Sequence, residues 1–214
     1  MTAARPIVGV VDYGAGNLVS IEQALRIAGA VPRRVSRPDD VLGVAALIVP
    51  GVGAAGPAMR RLARTGLDGV LRRWIAQDRP YLGICLGLQL LFESSDEDGA
   101  RTLGVIGGRS ARLAGAPSLP HIGWNEVLCT RPHPLFEGIP DGAEQYFVHS
   151  YAGRPSPGEH DVVLAETVHG ESFVSAIALG GLMGVQFHPE RSGPDGVRLL
   201  ANFVGLVSGR AVAA

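Results

Sequence analysis

Short apolar runs alternate with segments of helical periodicity over roughly the first 95 residues of the chain. The runs predicted to be strands are residues 7–11, 31–35, 45–49 and 81–84. Continuous apolar runs of this length are typical of parallel strands that are buried on both faces. Helical spacing recurs over about 18–28 and 58–76, and a further helix is expected to open at Leu86–Phe92. The alternation predicts an α/β fold with a doubly wound, mostly parallel sheet.

The middle of the chain has a different pattern. Residues 103–180 contain short β-like runs separated by glycine and proline, including QYFVHSY (145–151) and a hairpin pattern over about 161–179. This pattern predicts antiparallel strands added to the parallel sheet. Residues 182–187 return to a strand pattern, and residues 194–207 have the period of a closing helix. Because no repeat or linker interrupts the chain, we expect one domain over residues 1–214.

Net charge, apolar stretches and cysteine count indicate which partners and which compartment to expect. The formal net charge of −1 over 214 residues gives no reason to expect a nucleic-acid or membrane-surface partner. No apolar stretch reaches the ~20 residues needed to span a bilayer, and the N-terminus lacks the pattern of a signal peptide. The two cysteines, Cys85 and Cys129, are too few for a disulfide framework, so a reducing compartment and a cytoplasmic location are expected.

The sharpest local signal is the segment YLGICLG (81–87), in which an apolar strand leads through G-x-C-x-G into a helix. This is the pattern of a nucleophile elbow with cysteine in place of serine. Glycines are needed on both sides because the central residue sits in a strained turn that the neighbouring chain passes closely. The turn would place the Cys85 sulfur at a helix N-terminus, which favours the thiolate, and the N–H of Leu86 beside a developing oxyanion.

A cysteine nucleophile needs a base, and His188 is the best placed of the six histidines. It lies in VQFHPE (185–190), which runs off the end of a predicted strand, and Pro189 favours an extended backbone at His188. Residues two apart in an extended chain point the same way, so Glu190 could orient the imidazole toward the thiol. The PGVG loop (50–53) also follows a strand, and its Val52 N–H could complete an oxyanion hole.

Each of these segments also has an ordinary structural interpretation when it is taken alone. Cys85 could be a buried structural cysteine, the His-Pro-Glu segment a surface turn, and the PGVG loop a tight connection between strand and helix. No cofactor or metal is expected. The glycines at 14 and 16 begin a dinucleotide fingerprint that fails at Val19, and Cys129 and His133 lack a second ligand pair.

Taken together, the motifs resemble the class I, or triad, glutamine amidotransferases, and among these the glutaminase subunits of imidazole glycerol phosphate synthase. The resemblance covers nearly the whole chain. It rests on DYGAGNL (12–18), PGVG (50–53), GICLGLQLLFE (83–93), PHIGWNE (120–126), YFVHSYA (146–152) and GVQFHPERSG (184–193). It implies a flavodoxin-like sheet with added antiparallel strands, and an enzyme of histidine biosynthesis.

The resemblance implies a role for each matching position. Cys85 would attack the carboxamide of glutamine, His188 would transfer the proton, and Glu190 would orient His188. The N–H groups of Val52 and Leu86 would form the oxyanion hole. The positions that match glutamine-binding ones are Gly51, Gly53, Gln89, Ser150 and Tyr151.

The resemblance further implies a partner. This is a (β/α)8-barrel cyclase subunit that receives ammonia and makes imidazole glycerol phosphate and an aminoimidazole carboxamide ribonucleotide. The positions expected at the interface are Asn17, Ile122, Trp124 and Arg191. The family commonly has methionine at Ile122 and lysine at Arg191, and the arginine keeps the positive charge. Asn17 could equally cap the first helix.

Three other functions remain open on the sequence. The chain could serve another class I amidotransferase, such as one in anthranilate or pyridoxal phosphate synthesis. It could be a non-catalytic binding module on the same fold, or a cysteine hydrolase of peptides or γ-glutamyl conjugates. The motifs PHIGWN and YFVHSY argue against the first, and the intact Cys85, His188 and Glu190 argue against the second.

Overall fold

The computed structural model describes residues 4–209 of the chain. Its strands, in chain order, are β1 (Ile7–Val11), β2 (Val31–Val35), β3 (Ala46–Gly51), β4 (Tyr81–Cys85), β5 (Ser94–Ser95), β6 (Gly108–Arg112), β7 (His121–Glu126), β8 (Leu128–Cys129), β9 (Glu144–His149), β10 (Tyr151–Pro155), β11 (Val163–His169), β12 (Glu171–Leu179) and β13 (Leu182–Val185). Its α-helices are α1 (Leu18–Ile27), α2 (Ala55–Thr65), α3 (Leu67–Ala76), α4 (Leu86–Gln89) and α5 (Gly193–Val207). Short 3-10 turns lie at Pro38–Val41, Pro134–Phe136, His160–Val162 and Pro189–Arg191.

An eight-stranded sheet in the order β2-β1-β3-β4-β13-β12-β11-β8 forms the centre of the fold. The strands from β2 to β13 are parallel, and β12, β11 and β8 continue the sheet in antiparallel fashion. β4 therefore lies between β3 and β13, and the carboxyl ends of these three strands meet at one edge. The predicted α/β fold, with a mostly parallel sheet and added antiparallel strands, is confirmed.

Helices cover both faces of the parallel strands, whose side chains alternate between two apolar cores. The first core joins α1 and α5 to the sheet through buried side chains that include Ile21, Phe203 and Ile84. The second joins α2 and α3 to the sheet through side chains that include Leu62 and Trp74. None of the helices in residues 4–209 combines the length and hydropathy that a membrane-spanning segment requires.

Most predicted elements agree with the structure to within one or two residues, and three are divided or end at least two residues early. The pattern over about 58–76 forms two helices, because Gly66 adopts a left-handed backbone (φ 72°) that ends α2 and lets α3 begin at Leu67. The helix expected over Leu86–Phe92 ends at Gln89, and the chain continues in turns whose N–H groups bond three residues back. The strand expected over 182–187 ends at Val185, which is the last residue of β13 that pairs with β4.

The antiparallel segments join the central sheet only in part. The β11–β12 hairpin and β8 extend it, as expected. β7 and β9 instead form a separate two-stranded sheet, and β10, β6 and β5 form a three-stranded one, so the added strands are divided among three sheets. Along β7 and β9, more and less exposed residues alternate, because these strands bury one face only, whereas strands inside the central sheet are covered on both.

We expect opposite effects from alanine at two glycines three residues apart. Gly66→Ala should lower the free energy of unfolding by about 1 kcal/mol or more, because alanine is strained in the left-handed backbone of Gly66. Gly69 lies inside α3, where a new methyl group meets only the flexible end of Arg73, so Gly69→Ala should raise it by about 0.5–1 kcal/mol. Urea unfolding measures both changes, and a stabilised Gly66→Ala variant would contradict the helix break.

Candidate active site

Cys85 occupies a strained turn where β4 meets α4. Its backbone has φ 53° and ψ −109°, in the positive-φ region that residues other than glycine rarely adopt. Holding such a residue there costs on the order of 1–3 kcal/mol, which the surrounding packing must offset. Cys85 is 5% exposed, so the turn presents the sulfur to an enclosed space and not to bulk solvent.

The glycines on either side of Cys85 are required by close backbone contacts. A Cβ atom on Gly83 would lie 2.5 Å from the carbonyl oxygen of Gly87. A Cβ atom on Gly87 would overlap the carbonyl oxygen of Val49 on the neighbouring strand β3. No larger residue fits at either position unless the backbone moves, which is the steric reason expected for the G-x-C-x-G pattern.

His188 and Glu190 meet beside the Cys85 turn. β13 pairs in parallel with β4, with Val185 opposite Ile84, so the chain that leaves β13 passes Cys85. Nδ1 of His188 lies 2.9 Å from Oε1 of Glu190, and the two side chains are 7% and 2% exposed. His188 is extended (φ −106°, ψ 92°), as expected, but Glu190 lies in the 3-10 turn 189–191. The turn, and not a continuous extended segment, brings the carboxylate to the ring.

Two neighbours determine the protonation of His188. Burial alone would disfavour the imidazolium, but the Cys85 sulfur and the Glu190 carboxylate outweigh burial and raise the pKa of His188 above its ordinary value. Nε2, the nitrogen that does not face Glu190, is buried and makes no regular hydrogen bond with the described part of the chain. Cys85 and Glu190 both lie close enough to the ring to act on its protonation.

The PGVG loop follows β3, the other neighbour of β4. Gly51 is the strand partner of Cys85, so Val52 lies just beyond that position. The hydroxyl group of Tyr13 donates to the carbonyl oxygen of Pro50 at 2.9 Å, and burial raises the pKa of Tyr13, which keeps this donor protonated. Tyr13 thereby anchors the base of the loop, while Val52 is 51% exposed.

A cavity of about 230 Å³ opens beside Cys85. The expected site residues that line it are Cys85, Val52, Leu86, Gly53, Gln89, Ser150 and Tyr151. Gly51 does not line this cavity; a side chain there would collide with the Tyr13 hydroxyl, so its smallness serves packing. The volume is below the roughly 300–1,000 Å³ of drug-sized ligand pockets, which suits a small metabolite.

A second cavity, of about 70 Å³, lies next to the His188–Glu190 pair. Val52 and Val148 line both cavities, so the two spaces adjoin. The walls of the smaller one are largely apolar, with Ile21, Pro50, Gly51 and Ile84 among them, and also include Asn17 and Arg191. It therefore extends from the buried pair toward two of the residues expected at a partner interface.

The residues expected at a partner interface are all exposed. Ile122 and Trp124 are 60% and 52% exposed on the outer face of β7. Arg191 stands over the ring of Tyr146, with 5.2 Å between the guanidinium carbon and the ring centroid, and Trp124 packs edge-on against the same ring. Asn17 caps α1 by accepting a backbone N–H at 3.3 Å, and it also lines the smaller cavity.

Three polar residues at the site were not expected from the sequence. Glu97 lines the larger cavity, and burial together with Asp98 raises the pKa of Glu97. His149 lines the same cavity. Gln186 is fully buried, and its Nε2 lies 3.5 Å from the Cys85 sulfur. The sequence does contain a signal for Gln186, which stands two residues before His188 in an extended segment.

His149 ends a hydrogen-bonded chain of side chains whose tautomers follow from their partners. Its Nδ1 donates to the carbonyl oxygen of Tyr151 (3.0 Å), so its Nε2 must accept, and it does so from Nδ1 of His121 at 3.1 Å. Nε2 of His121 accepts in turn from the Asn125 amide nitrogen (3.2 Å), which also donates to the carbonyl oxygen of Val168. All members are satisfied only when both imidazoles are neutral.

A model of the class I glutamine amidotransferase family matches residues 9–206, which include the Cys85 turn, the PGVG loop and the His188–Glu190 pair. The chain belongs to this family. It is accordingly an enzyme, a glutamine amidotransferase.

Several relatives with assigned names are similar to this chain over most of its length. The chain is 47% identical over 199 residues to the imidazole glycerol phosphate synthase subunit HisH of Symbiobacterium thermophilum, covering 92% of this chain and 93% of that protein. It is 40% identical over 204 residues to the subunit of the same name from Dehalococcoides mccartyi, covering 95% and 98%. It is 45% identical to the chloroplastic imidazole glycerol phosphate synthase hisHF of Arabidopsis thaliana, over 92% of this chain but 34% of that protein.

Solved structures share the fold at lower identity. PurLQS from Thermotoga maritima matches with a TM-score of 0.75 at 18% identity and covers 94% of this chain and 99% of that one, which shows the fold alone. Among residues 4–209, no group of three or more His, Cys, Asp and Glu side chains could hold a metal ion.

Because both imidazoles are neutral in the folded chain, we expect the free energy of unfolding to fall in acid. Burial lowers the pKa of His149 to about 3, and burial together with His169 lowers the pKa of His121 to about 4. As the pH falls from about 6.5 to 4, the unfolded chain binds protons at these positions and the folded chain does not. Each histidine should therefore lower the free energy of unfolding by about 1.4 kcal/mol per pH unit in that window and have no effect above it.

His149→Gln tests this expectation, since a glutamine side chain is polar and close to histidine in length but cannot be protonated. Urea unfolding at a series of pH values should show a shallower loss of stability below pH 6.5 than in the parent. His160→Gln, which removes an exposed histidine, is the matched control. An unchanged slope in His149→Gln would show that the buried imidazole is not the cause.

Proposed function

We propose that this chain hydrolyses glutamine to glutamate and ammonia with a Cys85–His188–Glu190 triad, as the glutaminase subunit of an imidazole glycerol phosphate synthase in histidine biosynthesis. The proposal is supported by the strained turn that holds Cys85 next to the segment of the buried His188–Glu190 pair, beside a cavity of about 230 Å³. In this proposal, residues 1–214 form one amidotransferase domain that works in the cytoplasm.

The triad performs two proton transfers through one imidazole. The Cys85 sulfur attacks the carboxamide carbon of glutamine, and its proton passes to His188. His188 then protonates the departing nitrogen, which leaves as ammonia from a γ-glutamyl thioester. Water attacks the thioester, His188 takes the water proton, and the thiolate leaves as glutamate forms. The Glu190 carboxylate, 2.9 Å from Nδ1, stabilises the imidazolium in both steps and keeps Nε2 toward the sulfur.

Two backbone N–H groups would bind the oxyanion that forms in each step. The N–H of Leu86 follows the nucleophile directly, and the N–H of Val52 comes from the loop after the adjacent strand. One such donor contributes roughly 3 kcal/mol to the transition state. Val52 lines both cavities, so a change in its loop would act on the reacting carbonyl and on the route toward the partner face.

The larger cavity offers groups that fit free glutamine. The Glu97 carboxylate provides a counter-charge for the α-ammonium group. Both N–H groups of the Gln89 amide are engaged by acceptors, the Tyr151 carbonyl at 2.7 Å and Oε1 of Gln186 at 3.1 Å. Its own Oε1 is therefore the atom that can accept from the substrate. These groups select a small amino acid and not a peptide, which counts against a general peptide hydrolase.

The smaller cavity suggests where ammonia leaves. Its largely apolar walls suit a small neutral molecule, and they run from His188 to Asn17 and Arg191. A (β/α)8-barrel cyclase subunit that docks on the exposed Ile122 and Trp124 would cover this opening and receive the ammonia. The 40–47% identity to imidazole glycerol phosphate synthase subunits supports this partner over a synthase of anthranilate or pyridoxal phosphate.

Substitution at the triad should abolish glutamine hydrolysis. Cys85→Ala should lower glutamate release on the order of 10⁴-fold or more, because no other group can carry the acyl intermediate. The assay measures glutamate release with and without a cognate cyclase subunit and its nucleotide ligand. The parent chain should show low activity alone and strong stimulation by the loaded partner.

Cys129→Ala provides the matched control, since Cys129 lies in the edge strand β8 and not at the site. It should retain the parent rate. Equal rates for the parent and Cys85→Ala would remove the triad from the mechanism. Absence of stimulation by the cyclase subunit would leave the triad in place but contradict the proposed partner.

A further inference from the structure

We propose that Gln186 is a catalytic residue that donates a hydrogen bond to the nucleophile and favours its thiolate form. The proposal deepens the function proposed above and rests on Cys85 being the nucleophile. Nε2 of Gln186 lies 3.5 Å from the Cys85 sulfur, within hydrogen-bond distance for sulfur. Gln186 and Cys85 are 0% and 5% exposed, so water does not compete for this donor.

The register of the central sheet explains why the two side chains meet. β4 and β13 are paired up to Ile84 and Val185, which makes Cys85 and Gln186 the next positions on adjacent chains. The backbone N–H of Gln186 bonds to the carbonyl oxygen of Ser175 at 2.9 Å, which fixes the backbone after β13. The same segment therefore brings a donor and, two residues later, a base to one sulfur atom.

Gln89 determines which end of the Gln186 amide faces the sulfur. The Gln89 nitrogen donates to Oε1 of Gln186 at 3.1 Å and to the carbonyl oxygen of Tyr151 at 2.7 Å. Because Oε1 of Gln186 is engaged as an acceptor, its nitrogen is the atom that points to Cys85. A fixed N–H donor stabilises a negatively charged sulfur more than a neutral thiol.

A directed donor matters because α4 is short. The helix after Cys85 has four residues, one turn, so its peptide dipoles add little to the field at the sulfur. The helix predicted over Leu86–Phe92 would have stabilised the thiolate through its dipole. With the shorter α4, Gln186 supplies this stabilisation through a single directed N–H. The same N–H would act again in deacylation, when water displaces the sulfur from the thioester and the thiolate regains its charge.

The rate of Cys85 alkylation by iodoacetamide across a pH series tests the proposal. The experiment uses the full chain in a Cys129→Ala background, without glutamine, so that Cys85 is the one thiol that can be alkylated. In Gln186→Met, the pH of half-maximal alkylation rate should rise by about one unit, and kcat/KM for glutamine should fall on the order of 10- to 100-fold. Urea unfolding of each variant confirms that the folded protein is being measured.

Asn202→Leu is the matched control. Asn202 is also a buried amide, and its nitrogen donates to the carbonyl oxygens of Leu135 and Glu137. None of these three residues lines either cavity at the site. It should lose stability without a change in the alkylation profile. A shift in Gln186→Met alone supports the proposal, and an equal shift in Asn202→Leu would overturn it.

If Gln186→Met does not fold, Gln186→Glu keeps the shape and replaces the donor with a carboxylate, which should move the alkylation profile upward by more than one pH unit. An unshifted profile in a folded Gln186 variant overturns the proposal while leaving the triad intact. Failure of the proposed function is a separate result, namely glutamate release by Cys85→Ala at the parent rate.

Discussion

The parallel pairing of β4 with β3 on one side and β13 on the other is the constraint on which the site depends. Because the three strands end at the same edge, the Cys85 turn, the PGVG loop and the His188 segment lie side by side. Along the chain, Cys85 stands 33 positions after Val52 and 103 positions before His188. The close approach of β3 to the turn requires glycine at position 87, so the sheet packing and the strained backbone of Cys85 depend on each other.

The surroundings of His188 favour the protonated imidazole, whereas the surroundings of His149 and His121 keep their imidazoles neutral. The Glu190 carboxylate and the Cys85 sulfur raise the pKa of His188 despite its burial. Burial lowers the pKa of His149 to about 3, and its partners are satisfied only by the neutral ring. The two buried histidines, which line adjoining cavities, thus differ because His188 faces the sulfur and a carboxylate whereas His149 faces a carbonyl and a second imidazole.

Much of the fold, and the placement of Cys85, His188 and Glu190 at one edge of the sheet, could be predicted because each signal is local. The strands Ile7–Val11 and Val31–Val35 have the predicted bounds, since turn residues flank their apolar runs. Cys85 and His188 could be found because each follows a strand in a motif with its own backbone requirements. The separate pairing of β7 with β9 could not, because alternation along a strand specifies its faces and not its partner. The position of Gln186 next to Cys85 depends on the pairing of two strands that are distant in the chain, so the sequence alone does not reveal it. The same holds for Glu97, which reaches the site only as part of the cavity wall.

Covalent labelling with an electrophilic glutamine analogue, followed by peptide mapping, most directly tests whether the sheet edge forms a glutamine-specific nucleophile. We predict a single adduct on Cys85, protection of that residue by free glutamine and no protection by peptides, and slower labelling when Glu190→Gln removes the charge that orients His188. An adduct on Cys129, or labelling of Cys85 that glutamine does not slow, would contradict a triad assembled at this edge of the sheet.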